Sequence, residues 1–205
     1  MTTVAIVVLA AGKSSRMGSY LMGASHKLLA RFDGVPLIRR VVSAGLETQA
    51  VSVTVVTGYC HADIAACLED LPIHLCLNAA YESGMASSIR AAISQPHVSA
   101  ADGVLILLAD MPGITTDHMD QLIAAFQQAG GGLVVRATAD GQSGNPVLLP
   151  STLYPSVLAL KGDRGAKSVI ETSGLAVVDV EIGRPALTDV DTPADLEAAG
   201  GVLEP

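Results

Sequence analysis

Two aliphatic runs, Val4–Ala11 and Val104–Ala109, constrain the fold more than any other feature of the chain. Neither alternates with polar residues, so neither belongs on a half-exposed face. Both fall well short of the roughly 20 residues that cross a bilayer as a helix. Short, continuous aliphatic runs suit strands buried on both faces of a parallel sheet. Val51–Thr57, Ile73–Leu77, Leu133–Arg136, Val147–Leu149 and Ala176–Val180 read as further strands. Helical patterns lie between them. Leu37, Ile38, Val41, Val42 and Leu46 share one face, behind a Pro36 suited to a first helical turn. His61–Leu68, Met85–Ser94, Leu153–Leu160 and Ala166–Thr172 are helical as well. Thr115 or Thr116 caps a helix that runs through Leu122, Ile123 and Phe126 and stops at Gly130-Gly131-Gly132. Thr192 caps a last helix over Pro193–Ala199. This alternation predicts an α/β fold with a mostly parallel sheet covered by helices. No linker or repeat interrupts it, so residues 1–205 are expected to form a single domain.

Composition narrows the function. At 50% hydrophobic and 16% charged residues the chain is not intrinsically disordered. Its 205 residues can bury a core without covalent staples. Cys60, Cys67 and Cys76 lack metal-ligand spacing and read as structural thiols of a reducing compartment. No basic segment precedes the first apolar run, so no signal peptide is expected and the predicted location is cytoplasmic. The net charge of −8 disfavours nucleic acid as a partner, because duplex affinity comes mainly from neutralising phosphates. Yet residues 1–40 hold Lys13, Arg16, Lys27, Arg31, Arg39 and Arg40 against Asp33 alone. A basic segment on an acidic body points to a local site for a small anion.

In a parallel α/β sheet, ligands bind beyond the carboxyl ends of the strands. The first strand runs into Leu9-Ala10-Ala11-Gly12-Lys13-Ser14-Ser15-Arg16-Met17-Gly18. Small residues there let the backbone approach a ligand, and successive N–H groups of a Gly/Ser turn form an anion nest. Arg16 adds a planar fork of donors and Lys27 a point charge. Val7 stands where a Walker loop requires glycine, and Ala10 where a dinucleotide fingerprint does. The second run ends in Asp110-Met111-Pro112. An ionised Asp beyond buried aliphatics needs a partner, either a metal ion or a helix N-terminus. In Asp189-Val190-Asp191-Thr192-Pro193 the two carboxylates share one face of an extended segment. Magnesium in nucleotide enzymes is commonly held by one or two carboxylates together with substrate phosphates. No Ser-His-Asp or Cys-His set is recognisable, and His61, His74, His97 and His118 have no ligand spacing.

These motifs, with Lys27, Gly84-Met85-x-x-Ser88-Ile89, Gly144-Asn145-Pro146-Val147 and Gly162-Asp163-Arg164-Gly165-Ala166-Lys167, resemble the MobA-like NTP transferases. Within that family they resemble the molybdenum cofactor cytidylyltransferase branch, from residue 4 to about residue 198. The resemblance implies a Rossmann-like three-layer αβα fold of the nucleotide-diphospho-sugar transferase type. It also implies a Mg²⁺-dependent transfer of CMP from CTP to molybdopterin, with or without molybdenum, releasing pyrophosphate. Carried over residue by residue, Leu9, Ala10, Ala11, Gly12, Ser14 and Ser15 cradle the nucleotide, and Arg16 and Lys27 contact its phosphates. Asp110 and Asp191 match the metal-binding aspartates. Gly84, Ser88 and Asn78 belong to the base and ribose pocket, and Gly144, Asn145 and Asp163 to the region that receives the pterin. The implied partners are small molecules and the apo form of a molybdenum hydroxylase, with no membrane. Ala11 goes with the cytidylyl branch, and Lys167 stands where Arg is more common. The stretch 19–26 is longer than the family's usual spacer, which leaves open whether it closes over the triphosphate or moves Lys27 elsewhere. Guanylyl transfer, transfer to a sugar phosphate, and a non-catalytic cofactor escort stand as alternatives.

Overall fold

A computed structural model of the chain describes residues 2–14, 17 and 26–203. The expectations for Ser15, Arg16 and the stretch 19–25 fall outside the described residues. In chain order the strands are β1 (Val4–Ala10), β2 (Arg31–Phe32), β3 (Val35–Pro36), β4 (Ser52–Thr57), β5 (His74–Leu77), β6 (Gly103–Leu108), β7 (Val134–Ala139), β8 (Gln142–Pro150), β9 (Val177–Glu181) and β10 (Gly201–Val202). The helices are α1 (Leu37–Leu46), α2 (His61–Cys67), α3 (Met85–Ile93), α4 (Pro96–Ser99), α5 (Thr116–Gln128), α6 (Tyr154–Leu158), α7 (Ala166–Ser173) and α8 (Pro193–Ala198).

Seven strands form the central sheet in the order β5-β4-β1-β6-β8-β7-β9. β5, β4, β1 and β6 pair in parallel, as do β7 and β9. Only β8 runs against its neighbours. This is the expected mostly parallel α/β sheet. The strand predicted at Val147–Leu149 is longer, because Asp140 and Gly141 turn β7 into β8 with positive φ at both residues (51° and 76°). That is the backbone of a two-residue hairpin, for which Asp-Gly is a preferred pair.

The uninterrupted apolar strands work as the sequence suggests. In β1, Val4, Ile6, Val8 and Ala10 face one core with α1, α2 and α5, while Ala5 and Val7 face the other with α3, α4, α6 and α7. Helices therefore cover both sides, and three layers result. Pro36 ends β3 and stands just before α1 instead of within it. Thr115 caps α5 through a reciprocal pair with His118, and Thr192 caps α8 through one with Asp195. A second sheet, β10-β2-β3, was not expected, since two-residue strands carry no periodicity. It ties residues 201–202 to the segment that follows Lys27. Among the described residues, no helix is long and apolar enough to cross a membrane.

Candidate active site

The carboxyl ends of the central strands finish level, with Leu9 of β1 opposite Val56 of β4 and Leu108 of β6. A cavity of about 580 Å³ opens above them. One wall is the backbone that leaves β1, with Leu9, Ala10, Ala11, Gly12 and Ser14 all lining it. A Cβ added at Gly12 meets nothing within 4 Å, so no protein neighbour demands glycine there. The open space instead admits a ligand close to the main chain. Gly58 does face a protein demand. A Cβ there would lie 2.7 Å from Tyr81 Cβ and 2.9 Å from the Ala11 carbonyl. Its absence lets the Tyr59 amide donate to that carbonyl at 3.3 Å.

Beneath this wall lies the charged centre. The Lys27 ammonium donates to Asp110 Oδ2 at 2.7 Å, to the Val190 carbonyl at 2.8 Å and to Asp191 Oδ1 at 3.1 Å. Its three donors are thereby all engaged. Lys27 is buried at 7% exposure. Burial alone would pull its pKa down, but Asp110 and Asp191 outweigh that and raise it. Asp189 lines the same cavity, and burial followed by repulsion from Asp191 and Asp110 raises its carboxyl pKa. The two aspartates that the sequence placed on one face do share this cavity.

Capping chemistry delivers both key carboxylates. Thr115 satisfies the start of α5, which leaves Asp110 free of that task. Thr192 does the same for α8, while Asp195 Oδ2 accepts from the amides of Asp191 and Thr192 at 3.3 and 2.8 Å. The Asp191 backbone is thus pinned from below while its side chain meets Lys27.

Whether this centre suits a metal ion can be tested on its own atoms. Asp110 Oδ1 is buried with no hydrogen-bond partner. Such an orphaned carboxylate oxygen is costly unless something binds it. Asp110, Asp163, Asp189 and Asp191 line the cavity, with Lys27 and His26 as the basic side chains on its wall among the described residues. Among those residues no three His, Cys, Asp or Glu side chains form a ready-made metal cage. The unpartnered Asp110 oxygen, in a cavity it shares with Asp189 and Asp191, fits an oxygen-seeking cation that takes its remaining ligands from phosphates and water.

The opposite wall is set by α3. Gly84 precedes it at φ 101°, and an added Cβ would lie 2.5 Å from Asp163 Oδ1 and from the Gly162 backbone. Gly84, Met85 and Ser88 line the cavity, and so does Asp163. Asp163, grouped by the resemblance with Gly144 and Asn145, thus lines this cavity and not the wall that those two residues share: the Ala86 amide donates to the Gly162 carbonyl at 3.1 Å and draws that loop onto α3. Asn78, expected in the pocket, stands behind its wall. Its amide donates to Ser87 Oγ and Ser88 Oγ at 2.7 and 3.0 Å and its carbonyl oxygen accepts from the Ala80 amide, so it is fully used in orienting the two serines.

A second cavity of about 260 Å³ adjoins the first across Leu9, Met85 and Leu108. Ile89, Ile106, Val147 and Ile170 give it an aliphatic side, while Gly144 and Asn145 share its wall with the charged Arg136, Lys167 and Glu171. Gly144 has a packing reason to lack a side chain, since a Cβ would run into the Ala186 carbonyl.

His26 carried no sequence signal, yet it is buried and bonded to the cradle. Its Nε2 lies 2.9 Å from the Gly12 carbonyl and 2.8 Å from Ser14 Oγ. Ser14 takes φ 53°, a left-handed conformation that needs such support outside glycine. Burial, followed by the nearby Lys27 charge, pulls the His26 pKa down against the opposing Gly12 bond.

The family model of the MobA-like NTP transferase domain matches residues 6–178. The purine catabolism protein PucB of Bacillus subtilis (strain 168) is 30% identical over 202 residues, covering 93% of each chain. A crystal structure of the homologue of Mycobacterium tuberculosis Rv0371c from Mycobacterium sp. strain JC1 superposes with a TM-score of 0.79 at 25% identity, covering 95% of this chain and 93% of that one. A nucleotidyl transferase from Methanothermobacter thermautotrophicus, Mth528, superposes at 0.80 with 21% identity, covering 98% and 97%. With a strand-end cradle, a lysine between two aspartates and a family match over most of its length, the chain belongs to the MobA-like NTP transferases.

Proposed function

We propose that this chain is a single-domain, Mg²⁺-dependent cytidylyltransferase that moves CMP from CTP onto the terminal phosphate of molybdopterin, with or without its molybdenum, in the cytoplasm. The observation that carries the reading is the meeting of Asp110 and Asp191 on the Lys27 ammonium, at the floor of a cavity that adjoins a second, partly aliphatic one. The first cavity takes the nucleotide. The second takes the acceptor, and its aliphatic side suits a flat heterocycle better than the hydroxyls of a sugar.

In the reaction, an oxygen of the acceptor phosphate forms a bond to the α-phosphorus of CTP. The bond from that phosphorus to the bridging oxygen breaks, and pyrophosphate leaves with the electron pair. An anionic acceptor needs no strong base, so the protein's task is alignment and charge stabilisation. Leu9, Ala10, Ala11, Gly12, Ser14 and Ser15 present backbone and hydroxyl groups to the triphosphate. Arg16 contacts its oxygens, Lys27 adds its positive charge beneath them while its donors stay with Asp110, Val190 and Asp191, and Gly84 and Ser88 bound the nucleoside side of the cleft. Asp110 and Asp191 hold the metal ion, which when bound supplies Lewis-acid stabilisation of phosphate charge. Met85, Leu9 and Leu108 lie where the two substrates meet.

The bacterial relative named for purine catabolism is in keeping with a molybdenum hydroxylase as the recipient of the product, and with the escort alternative. Pyrophosphate release with each of the four NTPs, with and without molybdopterin, tests the reading. Release that requires CTP and molybdopterin together supports it. Release with GTP or with a sugar phosphate moves the chain to another branch, and binding without release leaves an escort.

A further inference from the structure

An anion cradle works only if its amides, and not its carbonyls, face the ligand. A carbonyl lone pair turned toward a triphosphate is repelled by it. Three carbonyls at the end of β1 and just after it are taken up by donors from other parts of the chain. The Leu9 carbonyl accepts from the Ala109 amide at 3.2 Å, and the Ala11 carbonyl from the Tyr59 amide at 3.3 Å. The Gly12 carbonyl, at a residue whose added Cβ would meet nothing within 4 Å, has no such backbone donor among the described residues. It is held by His26 Nε2 at 2.9 Å.

The protonation of His26 follows from its contacts. The Leu28 amide donates to Nδ1 at 3.3 Å, so Nδ1 carries no proton and Nε2 carries the single one of the neutral ring. That proton is directed at the Gly12 carbonyl and at Ser14 Oγ, 2.8 Å away. Nε2 then has no lone pair to accept from Ser14. The serine must receive, and its own hydroxyl proton is left to point elsewhere, in a residue that lines the nucleotide cavity. Across the same planar peptide the Lys13 N–H points away from the ring. One neutral imidazole thus occupies the Gly12 carbonyl with a donor, frees a hydroxyl donor and caps the turn that carries Lys27.

Resting on the nucleotidyltransferase reading, we infer that His26 is a positioning residue for the nucleotide: it holds the Gly12–Ser14 backbone in the donor-outward orientation that accepts a triphosphate. It touches no reacting atom and acts through the loop. Its effect belongs to nucleotide affinity and not to the acceptor.

The test compares wild-type protein with His26→Ala, His26→Gln and His26→Asn by calorimetric titration with CTP and GTP, steady-state turnover and thermal denaturation. A glutamine amide reaches the Nε2 position with a donor, whereas asparagine reaches only as far as Nδ1. The inference expects His26→Ala to weaken nucleotide binding about tenfold or more, to raise KM for the nucleotide, and to leave KM for the acceptor within twofold. His26→Gln is expected to recover most of the loss. Nucleotide affinity of His26→Ala within twofold of wild type overturns the inference. So does a folded His26→Gln no better than His26→Ala. If His26→Ala loses its thermal transition, the comparison passes to the amides: tighter binding by Gln than by Asn supports the role, and equal binding overturns it. Wild-type protein that binds no NTP at all overturns instead the proposed function.

Discussion

The amide of Val190 donates to the carbonyl of Asp110 at 2.9 Å. This main-chain bond docks the segment 189–191 against the end of β6, and it brings two carboxylates from distant parts of the chain to the same ammonium. The centre is therefore fixed by backbone geometry before any side chain is considered.

Asp110→Asn removes the charge that meets Lys27 most closely. NTP consumption should fall at least about a hundredfold, the scale expected for losing a metal-bearing carboxylate in phosphoryl chemistry. Circular dichroism should match wild type, since the amide keeps shape and hydrogen bonding. Normal turnover by this variant would remove the metal hypothesis.

Lys27→Met leaves Asp110 and Asp191 facing each other without their shared cation. Breaking one side of a buried pair should cost about 3 kcal/mol in metal-free buffer. Because the remaining carboxylates can be neutralised by a divalent ion, Mn²⁺ should restore more thermal stability to the variant than it adds to wild type. Equal Mn²⁺ responses would contradict this.

Asp189 has a folded-state pKa above its usual 3.8, through burial and then the neighbouring Asp191 and Asp110. The folded protein therefore binds this proton more readily than the unfolded chain, and the ionised side chain penalises folding near neutrality. Asp189→Asn should raise Tm at pH 7. The advantage should shrink as pH falls through the raised pKa and wild type protonates the same group. A constant difference across that range would show a different cause.

His26 titrates the other way round. Its folded pKa lies below 6.5, chiefly through burial. The unfolded chain takes up the proton first, so this group's contribution is complete above about pH 6.5 and is lost as pH falls toward the folded value. Wild-type Tm should drop through that window, and His26→Gln should flatten the drop. Parallel Tm profiles for the two proteins would refute the assignment.

Gly84→Ala forces a side chain onto φ 101° and within 2.5 Å of the Gly162 backbone and Asp163 Oδ1. The cost should be at least about 2 kcal/mol, from strain and from displacement of the 162–165 loop. Denaturant titration checks the stability, and nucleotide KM should rise with it. An unchanged midpoint would mean that the loop moves aside freely.

Much of this was readable from the residues alone. β1 and β6 announced themselves because strands buried on both faces cannot afford polar positions, and the Thr caps because a hydroxyl before an apolar helical stripe has a specific job. Asp110 and Asp191 were identifiable as carboxylates at the ends of buried segments. What escaped depended on approach in three dimensions. The direction of β8 is not written in its hydrophobicity, although Asp140-Gly141 was a hairpin signal that the strand reading passed over. Asn78 belonged to the right neighbourhood but spends its amide on two serines. Asp163 followed its loop onto α3. His26 looked like one polar residue among several, and only the fold shows which carbonyl it meets.

The pairing of β10 with β2 has a bearing on biosynthesis. Phe32 and Arg31 lie beside Gly201 and Val202, so the stretch that presents Lys27 is braced by residues translated long after it. Asp191 comes almost as late. A nascent chain on the ribosome can assemble β1, β4 and β6 and expose the glycine loop well before the second carboxylate and the bracing strand have left the exit tunnel. Lys27 therefore meets its second carboxylate and gains its bracing strand only once residues 191–202 have been made.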